Sequence, residues 1–216
     1  MKNCVLTLVL VAGVLMPLIA MAQGTLCVSN IERAPTGSAT IGSDYWIAQS
    51  FLILTSDPNT YTLDSVQLLM NPASGSPNGF TVSIFSAPFN SGGPQTNLGS
   101  LVGDTDPSSP GIYTYTASGI TLSSGVEYFA VATAATPIAQ GSYKWSATSS
   151  ITRSNAWIIN DLYFDSSDGS SWTEHGREEV FQMAIYTTVV PEPTTGALVG
   201  LGFAALGFWR WRRSES

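Results

Sequence analysis

The middle of the chain alternates apolar and polar residues with the period of two that is typical of β-strands. Turn residues separate these stretches, and helical periodicity is nearly missing. The pattern predicts strands at residues 46–54, 61–70, 80–85, 112–115, 126–133, 143–147, 157–164 and 180–188, with a further short strand at 99–102 inside a long loop of residues 87–110. Many short strands without helices between them favour an all-β domain, an antiparallel β-sandwich of jelly-roll type, with a closed barrel as the alternative.

The second of these strands carries a break in its alternation. Asp64 and Ser65 predict a bend, after which Val66, Leu68 and Met70 take the inner face.

The first residues of the chain have the three parts of a secretory signal peptide. Lys2 supplies the positive charge, residues 5–19 form an apolar run, and Ala20 and Ala22 frame a cleavage site before Gln23. The alternative is an uncleaved signal anchor, which the small residues Ala20 and Ala22 disfavour. We therefore expect a signal peptide helix at residues 1–22 and a mature chain that starts at Gln23.

The last residues of the chain have a second three-part pattern. Pro191, Glu192 and Pro193 form a stiff spacer, because proline cannot donate a backbone hydrogen bond. An uncharged apolar run follows, and the chain closes with the cluster Arg210, Arg212 and Arg213. The pattern predicts a transmembrane helix at 196–209 with its arginine end in the cytoplasm. A buried helix that ends the domain is the alternative.

These boundaries divide the chain into a signal peptide at 1–22, a β domain at 23–189 and a C-terminal tail at 190–216.

The order of the tail, VPEP followed by an apolar helix and an arginine cluster, resembles the PEP-CTERM sorting signal of Gram-negative bacteria. The resemblance implies recognition by exosortase, a cysteine peptidase embedded in the inner membrane, which is thought to cut near the Pro-Glu-Pro triplet. It implies an exported protein that is held at the inner membrane and then reaches the cell surface or the medium. Such proteins are often linked to exopolysaccharide and biofilm. Pro191, Glu192 and Pro193 would be the recognition element.

Parts of the β domain resemble a second group, the choice-of-anchor secreted domains, in the form labelled R. The resemblance rests on the A-Q-S-F stretch at 48–51, the L-D-S-V-Q-L stretch at 63–68 and the hairpin at 122–131. It implies a secreted domain found with different surface anchors, and it implies no catalytic residue.

Charge narrows the range of partners. Charged residues make up 11% of the chain. Outside the signal and the tail, four basic residues stand against thirteen acidic ones, and the basic ones are Arg33, Lys144, Arg153 and Arg177. Nucleic acid is excluded as a natural partner, since phosphate binding needs clustered Lys and Arg. A neutral polysaccharide is compatible with this surface.

The best candidate for a ligand contact is the turn at residues 165–172. Asp168-Gly169 predicts a hairpin tip, and Asp165, Asp168 and Trp172 could contact calcium or a glycan. Two carboxylates do not make a calcium site of six to eight oxygens. A plain hairpin tip is therefore the preferred interpretation, and calcium is the one cofactor kept open.

Other polar residues are predicted to be structural. Asp104 and Asp106 are expected to cap turns in the long loop. Cys27 is alone in the mature chain, so no disulfide within it is expected, and the thiol is expected to be a small buried group near the first strand. Trp46, Trp145 and Trp157 are expected in the core, with Trp172 the exception.

No catalytic site is predicted. His175 is the single histidine and is expected to be a solvated turn residue. No G-x-S-x-G elbow accompanies it, and no set of zinc ligands is apparent. The favoured function is a non-catalytic surface or matrix protein without a metal or cofactor. The alternative is a carbohydrate-binding module that recognises the matrix glycan through Trp172.

Overall fold

A computed structural model describes residues 24–176 and 179–191 of the chain. These residues form strands and no helix, in agreement with the all-β prediction. The strands are β1 (Thr25–Ser29), β2 (Gly37–Ile41), β3 (Trp46–Ile53), β4 (Thr60–Gly75), β5 (Thr81–Pro88), β6 (Thr96–Ser100), β7 (Gly111–Thr116), β8 (Thr121–Ser123), β9 (Val126–Thr133), β10 (Gly141–Thr148), β11 (Thr152–Ser154), β12 (Trp157–Ser166), β13 (Thr173–Gly176), β14 (Val180–Phe181) and β15 (Met183–Val189). The predicted signal helix at 1–22 and transmembrane helix at 196–209 lie outside the described residues.

The strands form two antiparallel sheets. The first has the order β1-β15-β4-β10-β14, with β2 on β10 and with β7 and β8 on β4. The second has the order β11-β12-β3-β9-β5-β6, with β13 on β12. The jelly-roll-like order of the strands stays a prediction.

The two sheets share one hydrophobic core. The first sheet contributes Leu68, Trp145 and Ile185, and the second contributes Phe51 and Val82. Trp145 and Trp157 lie in this core, as predicted, and are 0% and 3% exposed. Trp46 does not, because it starts β3 and is only partly buried against a smaller cluster on the outer face. This smaller apolar cluster covers the outer face of the second sheet, around Ala48, Ala87, Phe129, Val131 and Phe164. The second sheet is therefore buried on both faces near its centre.

The predicted bend in β4 is confirmed. Tyr61 and Leu63 are buried before the bend, and Val66, Leu68 and Met70 are buried after it. The pairing of β4 with β15 slips by one residue at this point, because Leu63 lies opposite Thr187 and Ser65 lies opposite Tyr186. Asp64 is the extra residue of this β-bulge, and a bulge moves the inner face by one position.

The prediction placed the short strand of the long loop too far along the chain. The strand is Thr96–Ser100, not 99–102. A bulge at Leu98 shifts its register against β5, and the side chain of Asn97 accepts a hydrogen bond from the Gly99 N–H at 2.8 Å. A polar stretch with one apolar residue carries no period-two signal, so the sequence pattern missed its start.

The two ends of the domain can be named by the strands that meet there. At the tail end, β3 and β15 finish while β1, β4, β9 and β12 begin. At the far end, β4, β9 and β12 finish while β3, β5 and β10 begin. Both ends of the described chain therefore lie at the tail end.

Candidate functional site

The last strand connects directly to the Pro-Glu-Pro triplet. β15 lies between β1 and β4, and its last residue, Val189, pairs with Tyr61. The Val190 N–H donates to the Thr60 carbonyl at 2.8 Å, and Pro191 is exposed and follows at once. No spacer therefore separates the folded sheet from the first proline of the triplet. Glu192, Pro193 and the three tail arginines lie outside the described residues.

The beginning of the mature chain lies beside this exit. Thr25 in β1 is paired with Thr187 in β15. The Asp64 carboxylate contacts the start of β1 and the end of β15. Gly24 lies against it, and the Thr188 hydroxyl donates a hydrogen bond to it at 2.8 Å. The predicted cleavage residues Ala20, Ala22 and Gln23 lie outside the described residues, and their assignment stays a prediction.

The hairpin tip between β12 and β13 uses the Asp168 carboxylate for its own turn. One oxygen, Oδ1, accepts hydrogen bonds from the Ser170 and Ser171 N–H groups at 2.8 and 3.0 Å and from the Ser166 hydroxyl at 3.1 Å. These bonds hold the pKa of Asp168 well below its usual range. Gly169 closes the turn at φ 73°, and a Cβ there would overlap the ring of Trp46. These contacts favour the plain hairpin interpretation.

Asp165 has a different partner from Asp168. Its carboxylate contacts Nε2 of His175, whose ring stacks on Tyr163 at a centroid distance of 4.8 Å. The predicted turn at His175 is wrong, because Thr173–Gly176 forms β13 and pairs with β12, while the His175 side chain is 39% exposed, in agreement with the predicted contact with solvent. In the described ranges, no group of three His, Cys, Asp or Glu side chains is placed to hold a metal ion. The calcium and glycan hypotheses for Asp165 and Asp168 stay predictions.

Trp172 is packed on one side. It lies partly buried against the outer-face cluster, next to Phe164, and Gly93 of the loop after β5 approaches its Cβ. Its indole N–H is buried and has no hydrogen-bond partner among the described residues. Packing against Gly93 and the cluster reduces the ring surface that a sugar could reach.

The turn-capping prediction for the long loop is confirmed at Asp104. Its side chain accepts a hydrogen bond from the Asp106 N–H at 2.8 Å. Asp106 instead accepts from the Tyr143 hydroxyl at 3.0 Å, which ties the loop to β10.

Cys27 is half-buried in β1. Its Sγ lies 3.0 Å from the Thr187 hydroxyl, and burial raises the pKa of the thiol. A thiol with a raised pKa carries little thiolate, so its placement fits a structural role.

A buried amide with four hydrogen bonds lies at the break between β14 and β15, and the sequence analysis did not find it. The Gln182 amide is fully buried, and its Nε2 lies within 3.1 Å of the carbonyls of Asn30, Ile31 and Arg33. Its Oε1 accepts from the Ser146 hydroxyl at 2.7 Å. Asn30 bonds the backbone on both sides of Gln182, from Nδ2 to the Phe181 carbonyl and from the Met183 N–H to Oδ1.

A second buried amide joins the two sheets. Gln49 in β3 accepts the Phe181 N–H of the first sheet at 2.7 Å. Its Nε2 donates to the carbonyls of Asn160 and Leu162, where β12 bulges away from β3. We call Asn30, Gln49, Ser146 and Gln182 the amide joint. Every one of these side chains has a hydrogen-bond partner, so the joint fixes the two sheets to each other.

On the outer face of the second sheet, in contrast to the amide joint, some buried polar atoms have no hydrogen-bond partner among the described residues. Glu127 in β9 is 2% exposed, and its Oε1 has no hydrogen-bond partner among the described residues. Burial raises the pKa of Glu127, against the effect of a bond from the Asn90 backbone. The Ser91 hydroxyl and the Trp172 indole N–H are also buried without a partner there. We call Ser91, Glu127 and Trp172 the covered face.

Comparison with known proteins gives one match. Residues 189–213 match the PEP-CTERM protein-sorting motif. No curated protein and no solved structure matches the chain. The match supports export and recognition by exosortase through a membrane-anchored C-terminal signal. It covers the tail and not the β domain, so the choice-of-anchor resemblance is not confirmed.

In the part of the chain that the structure describes, no helix has the length and apolar character needed to cross a bilayer.

Proposed function

We propose that the protein is a non-catalytic cargo of exosortase that is released into an extracellular polysaccharide matrix. The observation that carries this proposal is the sorting motif at 189–213, which begins inside the last strand of the folded domain. A signal peptide at residues 1–22 would export the chain, and the tail would hold it at the inner membrane. Exosortase would then cut near Pro191, Glu192 and Pro193 and release the β domain.

A passive role for the β domain agrees with its chemistry. The lone histidine is held by Asp165 and Tyr163. The carboxylate with the strongest burial, Glu127, lies under a loop, so a substrate would not reach it in this conformation. The surface carries few charges and many hydroxyl groups, which suits a hydrated neutral polysaccharide.

The test is the intact mass of the protein from the cell surface and the medium, in strains with and without exosortase. We expect loss of the segment after about residue 190 only where exosortase is present. A full-length protein that stays in the membrane of both strains would overturn the proposal and make the tail a permanent anchor.

A variant pair ties the cut to the triplet. Pro191→Ala combined with Pro193→Ala should leave the full-length mass in the strain that has exosortase. Pro58→Ala is the matched control, because Pro58 is also exposed at the tail end. Equal processing of both variants would argue against the triplet as the recognition element.

A further inference from the structure

The tether between the folded domain and the membrane is short. Val190 is still bonded to Thr60, so the folded sheet extends at least to Val190. The predicted apolar helix begins at Gly196, five residues after Pro191. Five extended residues span at most about 17 Å. The headgroup layer of one leaflet takes about 5–8 Å of this length. The tail end must therefore lie within about 9–12 Å of the lipid headgroups.

Apolar side chains are exposed at this end. Phe89, Leu26, Val189 and Val190 are 55%, 49%, 49% and 38% exposed. Leu26 and Val189 line a cavity of about 330 Å³ together with Tyr61 and Trp157. Phe89 lines a second cavity, of about 190 Å³, with Leu54 and Val126. The first recess opens beside the exit of the tail and is also lined by Asp57 and Thr187, and the second opens at the same end of the domain, between the ends of β3 and β5.

The tail end of the domain carries fewer carboxylates than the far end, and an anionic membrane surface favours the end with fewer negative charges. The connections at the tail end, residues 54–59, 89–95, 124–125 and 155–156, contain one charged residue, Asp57, and Asp64 of β4 also lies at this end. The Asp57 carboxylate accepts hydrogen bonds from the Tyr61 hydroxyl at 2.7 Å and the Asn59 N–H at 2.9 Å, and the Tyr61 bond in particular lowers its pKa, so it stays charged. The far-end connections carry several carboxylates, namely Asp44, Asp104, Asp106 and Asp168. A surface with anionic lipids therefore repels the far end more strongly than the tail end.

We propose that the tail end of the β domain is a membrane-contact surface, in which Leu26, Phe89, Val189 and Val190 touch the lipid of the leaflet that holds the tail. This inference rests on the membrane-held state of the proposed function. The contact lasts while the tail is attached and ends when exosortase cuts. It also fixes the orientation in which the triplet meets a peptidase that lies in the same membrane.

The test places an environment-sensitive fluorophore on single cysteines in residues 23–216 with Cys27→Ser, reconstituted into vesicles of phosphatidylethanolamine and phosphatidylglycerol. Leu26→Cys and Phe89→Cys report on the contact. Ile112→Cys is the matched control, because Ile112 is 50% exposed and pairs with Leu69. Leu69 is nine residues along β4 from Thr60, a distance of about 30 Å from the tail end.

We expect blue-shifted emission at positions 26 and 89, with a large loss of fluorescence when headgroup nitroxide lipid is added. Position 112 should keep its aqueous spectrum and its intensity. If the protein sediments with the vesicles and all three positions remain unquenched, the contact surface is wrong and the sorting function is untouched. If the protein does not sediment with the vesicles, the anchor fails, and both proposals fail with it. Thermal unfolding of each labelled protein, compared with the Cys27→Ser parent, excludes misfolding as the cause of a changed spectrum.

Discussion

The amide joint and the covered face bury polar groups in opposite ways. In the joint, Gln182 and Gln49 bond both ends of their amides to backbone carbonyls, an N–H group and a hydroxyl. On the covered face, Ser91, Glu127 and Trp172 each bury an atom that has no partner in the described residues. A buried polar group costs free energy unless it is bonded. The joint therefore holds the two sheets in one arrangement, while the covered face carries groups whose removal should cost little.

The largest effect is expected at the joint. Gln182→Ala would leave the carbonyls of Ile31 and Arg33 and the Ser146 hydroxyl without their partner. We expect a loss of about 3 kcal/mol or more of unfolding free energy, because several buried groups lose their bonds together. Urea unfolding measures it. Gln67→Ala is the control, since Gln67 bonds Thr114 at the surface. A loss no larger than that of the control would contradict the role of the joint.

The covered face should respond to pH through Glu127. A carboxyl group with a raised pKa binds more protons in the folded state than in the unfolded state. Stability is therefore complete below the ordinary value of about 4.5 and falls as pH rises toward the folded pKa. Glu127→Gln should flatten this fall and raise the melting temperature at neutral pH. Glu32→Gln, at an exposed position after β1, should leave the slope unchanged. An unchanged slope in Glu127→Gln would show that the carboxyl is not buried as described.

The amide joint and the covered face can also be compared by one substitution, serine to alanine, made once in each region. Ser146→Ala removes the donor to Gln182 and should cost about 1–3 kcal/mol, because a buried acceptor is left unbonded. Ser91→Ala removes a hydroxyl that has no partner and should be near neutral. Chemical unfolding of both variants in one buffer gives the difference. Equal losses would erase the distinction between joint and covered face.

The smallest effect is expected from two tryptophans that contact the same apolar cluster. Trp46 donates its indole N–H to the Ser43 carbonyl at 3.0 Å, and Trp172 has no such bond. Trp46→Phe should cost about 1 kcal/mol more than Trp172→Phe, the value of one net hydrogen bond. Differential scanning calorimetry can rank the two. The reverse order would indicate that the Trp172 N–H has an acceptor, such as an ordered water.

Strands with alternating large side chains were predictable from the sequence, and polar joints were not. The spacing of two residues is enough to assign Val66, Leu68 and Met70 to the inner face of β4. The bulge at Asp64 could also be predicted, because it interrupts this spacing. β2 has the sequence GSATI, and it forms because β10 offers it a partner, which is non-local information. Gln182 appears in the sequence as one polar residue in an apolar strand. Its meaning depends on Asn30 and Ser146, which lie far away along the chain.

The candidate sites divide in the same way. The Pro-Glu-Pro triplet and the tail are contiguous, so their order could be recognised without a fold. Asp165 and Asp168 are close in sequence, yet a difference of three positions in a hairpin gave them different partners, His175 and the turn backbone. Adjacent carboxylates predict a shared site only when the backbone between them is known.

The pairing of Thr25 with Thr187 gives the domain the geometry of an insertable module. Opposed residues of antiparallel strands lie about 4.5–5.5 Å apart at their Cα atoms, so both ends could be spliced into a single loop of a host protein. The same geometry should permit circular permutation, with the old ends linked by a few glycines and new ends opened at Gly119, an exposed turn residue between β7 and β8 whose backbone borders open space.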